Sequence, residues 1–220
     1  MSVPTFPIAL PLFRFVEVDF RLGRRQSAGL TEGGRDFVVD RGRPQWRASW
    51  KTPPLKPAEA GQWQAWGHSL RGPARTFLAY DPGREYPLSY MPQGWGSRTR
   101  AGGGAFDGTA TVTAISTNRD EVSLGTLFVG LVLSPGDYIS IAQSGNVSLH
   151  QVLASFTADG SGNIGPVWIE PEIPVAITGG TATLWRACAK FRLVAPLAMP
   201  QNAKGGYRQA EASFTAVSVL

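Results

Sequence analysis

Two histidines, His68 and His150, and one cysteine, Cys188, are the side chains of this 220-residue chain best suited to nucleophilic or metal chemistry. A nucleophile needs a base within hydrogen-bond reach, held in turn by an orienting group. Neither histidine stands near a signature such as Gly-x-Ser-x-Gly. With Cys188 they give no zinc-ligand spacing. The triple glycine at 102–104 lacks the Lys-Ser or Lys-Thr pair of a phosphate loop and opens no helical pattern. Asp159-Gly-Ser-Gly-Asn163 begins like a calcium loop, but the later acidic positions and closing glutamate are missing. It reads as a tight turn. No spacing marks out a carboxylate pair among the 16 acidic residues. The expectation is a non-enzymatic protein, with no catalytic residue, metal site or cofactor.

Arginine and tryptophan are what the chain offers in place of such chemistry. Residues 1–100 carry 15 basic against 8 acidic residues, net +7, whereas residues 101–220 carry 6 against 8, net −2. In the first half Arg21, Arg24, Arg25, Arg35, Arg41 and Arg43 are interspersed with Glu32, Asp36 and Asp40. Nucleic acid favours a more continuous basic stripe with exposed aromatics between the charges. Mixed signs and planar guanidinium groups suit a protein interface instead. Arg24, Arg25, Arg41 and Arg43 are therefore the candidates for contacts between subunits. Among seven tryptophans, Trp46, Trp50, Trp63 and Trp66 fall on the apolar side of alternating or helical patterns and belong to a core. Trp95, in a Pro-Gln-Gly-Trp-Gly loop, is expected at the surface.

Turns and strands must position these groups. The 26 Gly and 17 Pro exceed the usual background, which favours many turns and few long helices. Strands are expected over 12–20, 36–42, 44–52 and 75–82, with 21–35 a basic loop. In 44–52, Trp46, Ala48 and Trp50 face one way and Arg47, Ser49 and Lys51 the other, the period of a half-buried strand. A helix is predicted over Pro57–Leu70. Pro57 suits the first turn, Glu59 the positive end of the dipole, and Gly72-Pro73 a stop. Its Ala60, Trp63, Trp66 and Leu70 share a face.

The charge balance changes sign around the glycines at 102–104, so the expected organisation is two domains, 1–100 and 101–220. The second is expected to be all-β, with strands in 108–117, 126–133, 136–142, 148–160, 165–171, 182–194 and 213–219. The fold class is thus mainly β: an N-terminal sandwich or barrel-like domain with one helix, then a small barrel or sandwich. A lone cysteine permits no intrachain disulfide, and Cys188 reads as a small buried side chain. Prolines at 4, 7 and 11 interrupt the apolar start, which fits no signal peptide. No apolar run is long enough to span a bilayer.

In order, Trp46-Arg-Ala-Ser-Trp-Lys51, the proline-led helix and 73–87 resemble the N-terminal part of distal tail proteins of long-tailed bacteriophages. The matching positions are Leu70, Arg71 and Gly72 at the helix end, Phe77 in the next strand, and Asp81-Pro82 in the turn. The second half is similar to C-terminal domains of such proteins. There Gly108-Thr109-Ala110 is followed by LSPGDYISI (133–141), the 159–163 turn and WIEP (168–171). The resemblance implies a structural subunit of the virion tail tip, made in the host cytoplasm. It implies a ring, usually of six subunits, joining the tail tube protein to the baseplate hub and fibre proteins, without membrane or nucleic acid as partners. A carbohydrate- or receptor-binding β module is the alternative.

Overall fold

The computed structural model describes residues 5–11, 14–30, 32–197 and 211–219. In chain order come β1 (Ile8–Ala9), β2 (Glu17–Gly23), β3 (Gln26–Leu30), β4 (Asp36–Asp40), β5 (Gln45–Lys51), the helix α1 (Pro57–Leu70) and β6 (Phe77–Tyr80). Then follow β7 (Thr109–Ile115), β8 (Glu121–Gly125), β9 (Val132–Leu133), β10 (Tyr138–Gln143), β11 (Asn146–Val152), β12 (Phe156–Thr157) and β13 (Ile164–Glu170). Last are β14 (Thr181–Thr183), β15 (Cys188–Leu193) and β16 (Ser213–Ser218). The fold is mainly β, with a single α-helix among the described residues and a closed six-stranded barrel.

The described residues form two compact units. A sheet unit draws on 11–76 and 191–219, and a barrel unit on 1–10 and 77–190. This corrects the consecutive division at 100. The last strand, β16, pairs antiparallel with β5, setting Phe214 opposite Trp50 and Ala216 opposite Ala48. The other edge of β5 pairs with β2. Burying Trp46, Ala48 and Trp50 requires both edges of β5 to be hydrogen-bonded, and the C-terminal strand supplies one of them. The glycines at 102–104 lie inside the barrel unit, in a turn closed by the bridge between Thr99 and Ala105.

In the sheet unit the strand order is β15-β16-β5-β2. The helix forms where expected. The Lys56 amide donates to Glu59 Oε2 at 2.8 Å, Pro57 occupies the first turn, and Arg71 ends the helix in the left-handed region (φ 51°). Trp63, Trp66 and Leu70 are buried on its inner face. Trp63 and Trp66 meet Phe214 at centroid distances of 5.3 and 5.7 Å, and Phe214 stacks on Trp50 at 4.9 Å. Aromatic packing of this kind adds about 0.5–1.5 kcal/mol per pair beyond area burial. The four tryptophans read as core are all buried.

In the barrel unit the strands close in the order β10-β11-β13-β8-β7-β14, and β14 pairs with both β10 and β7. Closure leaves no free edge. Ile139, Ile141, Leu124, Val167, Ile169 and Ala182 fill the inside, all with no measurable exposure. The strand expected over 126–133 is mostly turn. Leu127, Phe128 and Leu131 are buried there without strand pairing, and the barrel strand is the preceding β8. An apolar run reports burial, and here that burial is achieved by a loop. Asp159-Gly-Ser-Gly-Asn163 is a turn in which Asp159 Oδ1 accepts from the amides of Ser161 (2.8 Å) and Asn163 (2.9 Å).

Candidate subunit interface

Residues 21–35, expected as a loop, contain the end of β2 and all of β3; of the strand expected over 12–20, residues 12 and 13 lie outside the described residues. β2 pairs with β5 through Gly23 and Gln45, and β3 pairs with β4 from Gln26 and Asp40 outward. The four strands thus form one long hairpin. It is kinked where two residues, Arg24 and Arg25, on one side face four, 41–44, on the other. Beyond the kink the pairing runs five residues, from Gln26↔Asp40 to Leu30↔Asp36, a reach of about 17 Å before the turn.

This distal ribbon is apolar and wet on both faces. Ser27 and Val39 share one face with Gly29 and Phe37, and the Phe37 ring lies so close over Gly29 that an added Cβ would sit 2.7 Å from it. Ala28, Val38 and Leu30 lie on the other face. Exposure reaches 71% at Leu30, 61% at Val38, 50% at Val39 and 45% at Phe37. An isolated two-stranded hairpin is at best marginally stable in water, and large apolar side chains on both its faces are characteristic of a surface that binds another.

The four interface candidates gather at the kink. Arg24 lies 3.9 Å from Asp40, and the Arg41 amide donates to the Arg25 carbonyl at 2.7 Å. Arg25, Arg41 and Arg43 are exposed, with no acidic group in ion-pair range among the described residues. The basic character continues onto the solvent face of the sheet. Arg21 stands opposite Arg47, and Arg47 and Arg192 flank Val217. Among the described residues Arg21 alone of these three has an ion pair, to Asp19 at 3.3 Å. Like charges directly opposed across strands are destabilising, so the row does not serve the stability of the sheet. Arg35 is also exposed, near the far end of the ribbon.

Trp95 is not a free surface aromatic. It is half-buried against the barrel core, 5.0 Å from Tyr86, 5.5 Å from Tyr90 and 5.2 Å from Phe106. Its loop is apolar enough to fold back, which flanking glycines alone do not reveal. The exposed tryptophans are Trp168 (52%) and Trp185 (40%). Trp168 points outward from β13 opposite Glu121 of β8, beside Leu153, whose amide donates to the Trp168 carbonyl. Arg186 lies over the Trp185 ring at 5.1 Å and is held by Glu85 at 3.3 Å.

The histidines fall in different units. His68 is exposed on α1. His150 is fully buried in the barrel, with Nδ1 2.6 Å from the Pro171 carbonyl and Nε2 2.7 Å from Ser148 Oγ. A carbonyl only accepts, so Nδ1 carries the proton, and in the neutral ring Nε2 accepts from the Ser148 hydroxyl. Sequence spacing gave no hint of this pair. Ser148 is 4% exposed, and its hydrogen bond to His150 satisfies two buried polar groups. Burial pushes the Cys188 thiol up, away from reactive thiolate character.

An open hollow of about 600 Å³ on the sheet unit is lined by Glu17, Ser49, Lys51, Val194, Pro196 and Thr215 among others. Its chemistry is an ion pair, Lys51 to Glu211 at 2.9 Å, in which hydrogen bonding to Glu211 raises the lysine pKa. Among the described residues, no three His, Cys, Asp or Glu side chains gather as a metal site, and no helix is long and apolar enough to cross a membrane. No protein-family model matches the chain, and neither does any curated protein.

Proposed function

We propose that this chain is a non-catalytic structural subunit of the tail tip of a long-tailed bacteriophage. In this reading it assembles with copies of itself into a ring, of six subunits, between the tail tube and the baseplate hub and fibres. The observation that carries the proposal is the arm at 26–40, which presents apolar side chains on both faces beyond an arginine-rich kink. A chain working alone gains nothing from such a projection, whereas an assembly subunit uses it to reach a neighbour. The order of strand, proline-led helix, strand and Asp-Pro turn, on which the resemblance rests, supports the same reading.

Electron microscopy of the parent virion, with an antibody to this chain, tests the proposal. Label at the distal end of the tail is expected. Label confined to the capsid, or absent from the particle, would overturn it.

A second reading, a carbohydrate-binding surface on the barrel, is favoured by one observation, the 52% exposure of Trp168 beside Glu121. It predicts glycan-array binding that is lost in Trp168→Ala and retained in Trp95→Ala, because Trp95 packs on the core.

A further inference from the structure

The arm and its root expose apolar side chains beside basic ones. A second exposed surface is the outer face of the barrel around β13, between β8 and β11. There Trp168 of β13 and Leu153 (38% exposed), one residue beyond the end of β11, form an apolar centre. Glu121 stands directly opposite Trp168, Glu170 lies two residues further along the same face, and Glu172 is exposed just beyond. The nearest cation in sequence to Glu121, Arg119, is engaged by backbone carbonyls. Its guanidinium donates to the carbonyls of Ile173 (2.7 Å), Pro174 (2.6 Å) and Ile177. This face is apolar with an acidic rim.

The arm has the opposite charge at its root, where the apolar ribbon meets Arg21, Arg24, Arg25, Arg41, Arg43, Arg47 and Arg192; Arg21 pairs with Asp19 and Arg24 with Asp40. Apolar matches apolar, and basic matches acidic. We infer that the arm of one copy seats on the Trp168 face of the barrel of a second copy, with its arginine root against Glu121 and Glu172.

Such a contact joins two different patches, so it is head-to-tail, and repetition gives a closed ring or an open filament. Opposed charges across it steer encounter and fix register, and arginine over an exposed indole adds a cation–π contribution. The inference rests on the ring reading and names the face that the ring uses.

Paired charge reversals on the full chain test it, read by native mass spectrometry with circular dichroism as a folding control. Arg25→Glu/Arg41→Glu and Glu121→Arg/Glu172→Arg all lie at partly or fully exposed positions. Each double variant alone is expected to assemble at least about tenfold more weakly than the parent. Mixed in equal amounts, the two are expected to regain assembly, because each reversed patch then meets its complement. Assembly by the barrel variant as tight as the parent's, or no recovery on mixing, would overturn this inference while leaving the ring. A parent chain that is monomeric at every concentration would overturn the ring reading itself, and this inference with it.

Discussion

The arm and the barrel use the same residue types to opposite ends. In β4, Asp36-Phe-Val-Val-Asp40, every residue is exposed, while in β13 Val167 and Ile169 are fully buried. The difference lies in the edges. Barrel strands have hydrogen-bonded neighbours on both sides and an interior to face, whereas β3 and β4 have only each other. Hydrophobicity fixes that a side chain gains by leaving water, and topology decides whether the cover comes from the same chain or another. For the arm, the account assigns that cover to a neighbour.

Substitutions that break the comparison should therefore act on stability in one region and on assembly in the other. The largest stability effect is expected inside the barrel. Leu124→Ala removes a side chain with no exposure and should cost about 2–5 kcal/mol in urea unfolding. Gly162→Ala comes next. Gly162 has φ +72°, and an added Cβ would collide with the Leu127 carbonyl oxygen, so about 1–3 kcal/mol is expected, seen as a lowered melting temperature.

Val38→Asp in the arm should change the stability of the isolated chain by no more than about 0.5 kcal/mol. Its effect should appear in oligomer size, measured by light scattering. The smallest effect concerns pH. Hydrogen bonds from the Thr109 hydroxyl and amide, with Arg100 nearby, hold the Asp107 carboxyl below its ordinary value. A depressed carboxyl contributes stability above its unfolded pKa and loses it as pH falls through the folded value. Asp107→Asn should flatten the acid side of the stability profile by less than about 1 kcal/mol, because the group is largely exposed.

Local signals in the sequence carried the elements that stand on local chemistry. The helix at 57–70 was legible because its proline, its Glu59 cap and its tryptophan face all lie within fourteen residues. β5 was legible from strict alternation. The pairing of β16 with β5 was not, because a partner more than 150 residues away leaves no periodic trace. The arm was misread for a different reason. Gln26-Ser-Ala-Gly-Leu30 has little β propensity, and a ribbon wet on both faces shows no alternation to detect. Arginine composition located the root of the candidate interface at Arg24, Arg25, Arg41 and Arg43 but not the apolar ribbon they support. Trp95 was expected at the surface but packs on the barrel core, because a turn-rich loop can fold back on its own core.

The central claim is that the arm is an assembly surface, and native mass spectrometry of the parent chain beside a Phe37→Ser/Val38→Asp variant tests it most directly. The account predicts a ring-sized oligomer for the parent and a folded monomer for the variant. The same oligomer in both would contradict it.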